Sequence, residues 1–193
     1  PVWEVPPNVR SVRLIPVWGS SASPLRPTPR RRYWVDATQY ELERLWDAAL
    51  GSERHDPVGR TASALQHLVG ISDRIGLARS LATRGSVAAI IAAWTRHLVS
   101  VGEPPISVAD AVMAASIVDR ALALLDHRLG EVNVVHASSN GPSSLLALAQ
   151  SWRHGTPIML TEHGVYLRER YLALYGAQLS WPVRRAVTAF LRR

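Results

Sequence analysis

The stretch VNVVHASSNGPSSLLALAQSWRHGTPIML, residues 132–160, determines the fold that we expect for this chain. It begins with a β-branched run at 132–135 and ends with a second short apolar run at 158–160, and both are typical of strands. Residues 143–152 between them have a helical composition, with glycine and proline on either side. The stretch therefore predicts a βαβ unit with parallel strands, a right-handed crossover and burial on both faces.

Upstream, a long region from residue 36 to 129 is expected to be helical. Five segments carry this signal, because their apolar residues either recur at helical spacing or make up much of the segment: 36–50, 61–69, 71–81, 86–100 and 107–129. Gly70 is expected to separate two short helices, and Ser107 with Asp110 three residues later resembles a capping box.

The start of the chain is expected to contain one strand and one basic loop. Residues 12–17 are rich in β-branched side chains and follow a Pro-Pro-Asn turn, which favours a strand. Residues 19–35 include Arg30, Arg31 and Arg32 and lack an apolar face, which indicates a solvated loop or, alternatively, a patch that contacts phosphate or glycan. The first residue is proline, and we interpret this start as a truncation. The predicted fold class is α/β: one partial Rossmann-like domain over 1–193, with a parallel sheet and a large helical middle region.

Composition narrows the classes of function. The 193 residues have no cysteine, which excludes disulfides and thiolate chemistry and fits a reducing compartment, so we expect a cytoplasmic protein. No apolar window is long enough for a membrane span. All 22 basic residues are arginine, a bias typical of GC-rich coding sequence, so the net charge of +7 is a weak argument for nucleic acid, and we expect no nucleic-acid partner.

Two polar clusters directly follow the two predicted strands of the βαβ unit. In an open parallel sheet, ligands bind at the carboxyl ends of the strands. The first cluster, residues 136–141, offers an imidazole, hydroxyls, an amide and a glycine that suit hydroxyl or phosphate recognition. Its candidate residues are His136, Ser139, Asn140 and Gly141. The alternative for Ser139 and Asn140 is that they cap the following helix.

The second cluster, residues 161–170, is denser in functional groups than a connection requires. A carboxylate could accept from a sugar hydroxyl or orient a neighbour, a glycine allows close backbone approach, and arginines can bind phosphate or carboxylate. Its candidates are Glu162, His163, Gly164, Tyr166, Arg168 and Arg170. For the two arginines, the alternative is an ordinary surface helix face with salt bridges.

The sequence has no motif for a metal site, for a phosphate-binding loop or for the serine nucleophile of an esterase. His55, His67, His97, His127 and His154 have no second ligand at metal spacing, so no metal site is predicted. A G-x-G-x-x-G turn and a Walker A loop are absent, as is the G-x-S-x-G elbow that an esterase of this fold class would need.

The two clusters resemble a known family. Residues 136–141, the segment Trp152-Arg-His-Gly-Thr-Pro157, and above all Thr161-Glu-His-Gly-Val-Tyr-Leu-Arg-Glu-Arg170 are similar to the amino-terminal domain of PelF-like glycosyltransferases of exopolysaccharide synthesis. Val5-Pro-Pro-Asn-Val9 resembles the segment that leads out of that domain's third strand, while the helical middle matches only in general character.

The resemblance implies a retaining GT-B enzyme that takes a sugar from a nucleotide-sugar donor, a UDP-sugar by expectation, and gives it to a polysaccharide or glycan acceptor. It makes His163 and Glu162 the catalytic-site residues, with Gly164 shaping the loop and Arg168 or Arg170 supporting phosphate. His136 and Asn140 become contacts to donor or acceptor. No cofactor is implied.

The resemblance also implies partners that this chain does not include. A donor-binding domain would follow in the same protein, so the chain alone is expected to be inactive, and a synthase complex at the inner face of the membrane is a further expected partner. The alternative is a non-catalytic basic module that binds an acidic glycan, nucleic acid or a membrane surface through residues such as Arg30, Arg31 and Arg32.

Overall fold

A computed structural model describes residues 6–12, 15, 32–51, 56–77, 80–162 and 166–193. Within these residues the chain forms seven α-helices and two short strands. In order they are α1 (Arg32–Leu50), α2 (Pro57–Ile75), α3 (Arg84–His97), α4 (Val108–Leu122), β1 (Val135–Ala137), α5 (Pro142–His154), β2 (Ile158–Leu160), α6 (Tyr166–Gly176) and α7 (Trp181–Leu191). Short 3-10 turns at Val99–Val101 and Ala123–Asp126 follow α3 and α4.

The main hydrophobic core lies among the helices. Apolar side chains of α1, α2, α3, α4 and α7 pack together in one cluster, with Trp46 and Trp94 among the largest fully buried ones. The indole nitrogen of Trp94 donates to the carbonyl of Pro104 at 3.0 Å, so this buried polar atom is satisfied. Burial of amphipathic helix faces therefore accounts for most of the core.

The helices predicted in the regions of α1, α3, α4 and α5 are confirmed, and their ends lie within a few residues of the predicted ones except at the end of α4. Ser107 caps α4 by accepting from the amide of Asp110 at 3.1 Å, as the capping-box pattern predicts. The α4 helix ends at Leu122, earlier than the predicted Leu129, because the chain tightens into a 3-10 turn. Helix α5 starts at Pro142 and ends at His154, and the φ of 66° at its C-cap residue Gly155 suits a glycine stop.

The prediction of two short helices at 61–69 and 71–81 is wrong. Helix α2 runs unbroken from Pro57 to Ile75, through Gly70. Gly70 is exposed and has nothing within 4 Å of where a Cβ would lie, so it costs about 1 kcal/mol of helix stability without changing the fold. The helix ends instead at Gly76, with φ of 76°.

The predictions for the start of the chain fall largely outside the described residues. Of the predicted strand, Val12 and Ile15 are described, and neither lies in a helix or strand. The predicted loop 19–35 is wrong at its end, because residues 32–35 form the first turn of α1; residues 19–31 are not among those described.

The predicted βαβ unit is confirmed, with two corrections. β1 and β2 pair in parallel, with Val135 opposite Ile158 and Ala137 opposite Leu160. The first strand occupies 135–137 rather than 132–135, so His136 lies within the strand instead of in the turn after it. Burial on both faces is wrong, since all three residues of β2 are exposed. Helix α5 covers one face, where Val135 and Ala137 form a small cluster with Ala147.

The described residues thus form a mostly helical α/β structure with a two-stranded parallel sheet. A larger Rossmann-like sheet is not formed within them and remains a prediction. None of the helices in the described part of the chain is long and apolar enough to cross a membrane.

Candidate functional site

The two polar clusters predicted from the sequence lie side by side at the carboxyl edge of the βαβ unit. Val135 and Ala137 point toward α5, so His136 between them points to the opposite face of the sheet. There its Nε2 is 2.7 Å from the hydroxyl oxygen of Thr161, the first residue after β2. The amide of Thr161 also donates to the carbonyl of Ala137 at 2.9 Å. Parallel pairing therefore brings together residues that are 25 positions apart in the sequence.

The carboxylate of Glu162 connects the two turns. Its Oε2 accepts from the backbone amide of Asn140 at 2.9 Å, in the turn after β1. Its Oε1 accepts from the amide of Tyr166 at 3.3 Å, at the first residue of α6. A negative charge at a helix N-terminus is favourable, and both oxygens are used by backbone donors. Glu162 thus holds the turn after β1 against the start of α6.

Gly141 and Tyr166 make a close contact at the same edge. A Cβ added at Gly141 would lie 2.7 Å from Cε2 of the Tyr166 ring, so the ring can approach this closely only because the residue is glycine. The guanidinium carbon of Arg170 also lies over this ring, 4.9 Å from its centroid. Desolvation raises the pKa of the Tyr166 hydroxyl, although the charge of Arg170 acts in the opposite direction.

The alternative in which Ser139 or Asn140 caps α5 is wrong. The N-cap of α5 is Gly141, and no side chain makes a capping hydrogen bond there. The carbonyl of Ser139 accepts from the hydroxyl of Ser143 at 3.3 Å, while the side chain of Asn140 is exposed. The side chain of Asn140 is therefore available at the edge for a ligand.

The remaining predicted residues are described only in part or not at all. Arg168 is exposed on α6, which fits either a surface role or a contact to a ligand. His163 and Gly164, between Glu162 and α6, are outside the described residues, and so are Arg30 and Arg31. The backbone of Arg32 belongs to α1.

A cavity lies directly beside the edge, between α5, α6 and α7. It has a volume of about 170 Å³, and its wall includes Asn140, Gly141 and Tyr166 as well as Phe190 and Leu191 of α7. A second cavity of about 220 Å³ adjoins it between α4, α6 and α7. The candidate site therefore adjoins two partly open cavities between the helices.

Two of the histidines that the sequence sets aside, His67 and His97, make structural contacts within the helical region. Nδ1 of His67 is 3.1 Å from the carboxylate of Glu41, and Nε2 of His97 is 2.9 Å from that of Asp47. Both pairs join α1 to a neighbouring helix. Among the described residues, no group of three or more histidine, aspartate or glutamate side chains is arranged to hold a metal ion.

Sequence reasoning missed the partners that complete the edge. The sequence places Thr161 in the second cluster but does not indicate a role for it. The available signal is the strand alternation, which places residues 136, 159 and 161 on one face. Phe190 and Leu191 lie at the end of α7, and no local sequence pattern connects them to Asn140.

The family model of DUF3492, described as a domain of unknown function, matches residues 1–193. No curated protein and no solved structure matches the chain significantly.

Proposed function

We propose that this chain, which belongs to the DUF3492 family, is the acceptor-side domain of a retaining glycosyltransferase with a nucleotide-sugar donor. In the finer form of this proposal the domain is Rossmann-like and PelF-like, the donor is a UDP-sugar, and the product is an exopolysaccharide. A second domain of the same protein holds the donor nucleotide.

The observation that supports the proposal is the adjacency of the two polar turns. His136, Asn140, Thr161 and Glu162 meet at the carboxyl edge of a parallel βαβ unit, which is where α/β proteins bind their ligands. The edge offers imidazole, amide and hydroxyl groups that suit the hydroxyls of a sugar, and an exposed arginine at position 168 that suits a phosphate.

In the proposed reaction the bond between the anomeric carbon and the donor diphosphate breaks and the nucleoside diphosphate leaves. The acceptor hydroxyl forms the new glycosidic bond as its proton passes to the departing diphosphate. His163, which follows Glu162 directly in the sequence, contacts the donor sugar and its phosphate. Glu162 contributes by holding the turn in place, since its oxygens already accept from the amides of Asn140 and Tyr166. Stabilisers of leaving-group charge are commonly worth about a hundredfold or more in kcat.

The test uses the complete protein that contains this chain and measures release of nucleoside diphosphate from a panel of nucleotide sugars. His163→Ala is expected to lower kcat by about a hundredfold. Glu162→Gln, which cannot accept at both positions, is expected to lower kcat by a smaller factor. His154→Ala is the matched control, because His154 is exposed at the opposite end of α5. Wild-type protein that releases no diphosphate from any donor, or a His163→Ala variant with unchanged kcat, contradicts the proposal.

A further inference from the structure

The cavity between α4, α6 and α7 is lined almost entirely by apolar side chains. Its volume is about 220 Å³. Its wall comprises Ile117, Val118, Ala121, Pro142, Tyr166, Arg170, Ala173, Leu174, Leu179, Val187, Phe190 and Leu191. Arg170 is the one charged residue in this wall and Tyr166 the one with a hydroxyl, and these two stack on each other. Apolar cavities of this kind bind apolar groups in preference to water.

This apolar cavity adjoins the smaller cavity at the candidate site. The two share Ala121, Pro142, Tyr166, Phe190 and Leu191 in their walls. The smaller cavity adds the polar residues Thr61, Asn140, Ser144 and Arg193 as well as the apolar residues Leu65, Leu145 and Leu148. The cavity beside the edge of the sheet is therefore mixed in character and offers hydrogen-bonding groups, whereas the cavity between the helices is almost entirely apolar.

We propose that the two cavities together bind the acceptor, and that the acceptor is an amphipathic glycoside whose aliphatic chain fills the cavity between α4, α6 and α7 and whose sugar lies at Asn140. The assignment of this ligand as the acceptor rests on the proposed function. The binding of an alkyl glycoside does not, because it follows from the shape and polarity of the two cavities alone.

The chemistry of the walls favours this occupant over a sugar nucleotide. A diphosphate in the apolar part would be desolvated among aliphatic side chains, which is unfavourable. In the cavity beside the edge of the sheet, the hydroxyls of Thr61 and Ser144 already donate to the carbonyls of Pro57 and Gly141, yet each can still accept from a sugar hydroxyl. The exposed amide of Asn140 can both donate and accept.

The experiment measures the affinity of the complete protein for a series of alkyl glucosides by calorimetry, at concentrations below micelle formation. Methyl, butyl, hexyl and octyl glucoside are compared, with free glucose as the probe that lacks a chain. Each added methylene group is expected to strengthen binding about fourfold until the cavity is full. Affinity that does not depend on chain length, or no binding of octyl glucoside, overturns the proposal.

Filling the cavity provides an independent test. Ala173→Phe adds a ring to the cavity wall from α6, where Ala173 is exposed, so the added volume can enter the cavity without displacing a buried side chain. It is expected to weaken binding of octyl glucoside by about tenfold or more and to leave methyl glucoside unchanged. Ala88→Phe is the matched control, because Ala88 is exposed on α3 and lines neither cavity. Thermal unfolding verifies that both variants fold.

The outcomes separate this proposal from the proposed function. Chain-length-dependent binding that Ala173→Phe abolishes supports the site even if the protein releases no nucleoside diphosphate. Turnover of a nucleotide sugar without any binding of alkyl glucosides supports the enzyme and overturns the cavity as its acceptor site. If the protein self-associates and Ala173→Phe abolishes this self-association, the cavity binds a second copy of the chain. That outcome also overturns the proposal.

Discussion

The helical core and the βαβ unit differ in the extent to which their apolar side chains are buried. Leu68 of α2 is 0% exposed, whereas Leu160 of β2 is 49% exposed. Burial of apolar area therefore stabilises the helical core, while the βαβ unit depends more on backbone pairing and on polar contacts such as those of Glu162. Binding sites commonly lie in such less buried regions, because ligands need accessible groups.

Truncating one leucine in each region tests this contrast most directly. Leu68→Ala is expected to lower the free energy of unfolding by about 4 kcal/mol, because it leaves a cavity in a closed core. Leu160→Ala is expected to cost less than about 1 kcal/mol. Urea denaturation measures both. Equal losses would show that the two regions are equally packed.

The carboxyl group of Asp119 in α4 is buried in the helical core, and its titration tests the stability of that region. Burial raises the pKa of Asp119 from 3.8 to about 6, despite a hydrogen bond of 2.7 Å from the amide of Ala82. The folded protein therefore keeps a proton between pH 3.8 and about 6 that the unfolded chain has lost. The free energy of unfolding should fall by about 3 kcal/mol as the pH rises through this window, and stay level above it.

The variant Asp119→Asn isolates this effect. Its amide oxygen still accepts from Ala82, but the side chain has no charge to bury, so the fall in stability over this window should largely disappear. Denaturation at pH 4, 5, 6 and 7 compares the two proteins. If the variant retains the full pH dependence, another group is responsible.

The attachment of the βαβ unit to the helical core can be weakened at one side chain. Arg153 of α5 is 5% exposed and donates to Asp73 of α2 at 2.7 Å and to the carbonyl of His127 at 3.0 Å. Arg153→Met should cost about 2 kcal/mol because these acceptors lose a buried donor. Arg128 binds the same carboxylate at 3.2 Å but is 62% exposed, so Arg128→Met should cost less than about 1 kcal/mol in the same urea assay. Similar losses in the two variants would contradict the attachment role of Arg153.

The smallest expected effect concerns the close approach at the edge. Gly141→Ala should destabilise the protein by about 1 kcal/mol, because the new Cβ meets the ring of Tyr166. Adding Tyr166→Leu should recover most of that loss if the ring is its cause. A double-mutant cycle by thermal unfolding measures the coupling, and additive losses would contradict it.

Local structure was largely predictable where the signal lies within a few residues. The cap at Ser107, the stop at Gly155 and the spacing of the helical segments need only neighbouring residues to be recognised. The βαβ unit was predictable for the same reason, because strand, helix and strand are consecutive.

Two of the errors, the bounds of the first strand and the burial of β2, arose where distant contacts decide the outcome. The run at 132–135 has the composition of a strand, but the pairing that fixes its register begins when the amide of Val135 donates to the carbonyl of Pro157, at 3.0 Å. Exposure of β2 likewise depends on which elements cover the sheet and not on its own apolar residues. For the site, the sequence placed the two turns at one edge but did not indicate that Phe190 and Leu191 would line the adjoining cavity.

The contacts of Arg153 restrict movement of α5 relative to the helical core. This one guanidinium also donates to the hydroxyl of Ser72 and the carbonyl of Leu125, so it fastens α5 to both α2 and the turn after α4. A hinge between α5 and the helices would have to break several hydrogen bonds at once. If a second domain closes over the edge of the sheet, we expect the whole described domain to swing as a unit, with the bending confined to the linker between domains.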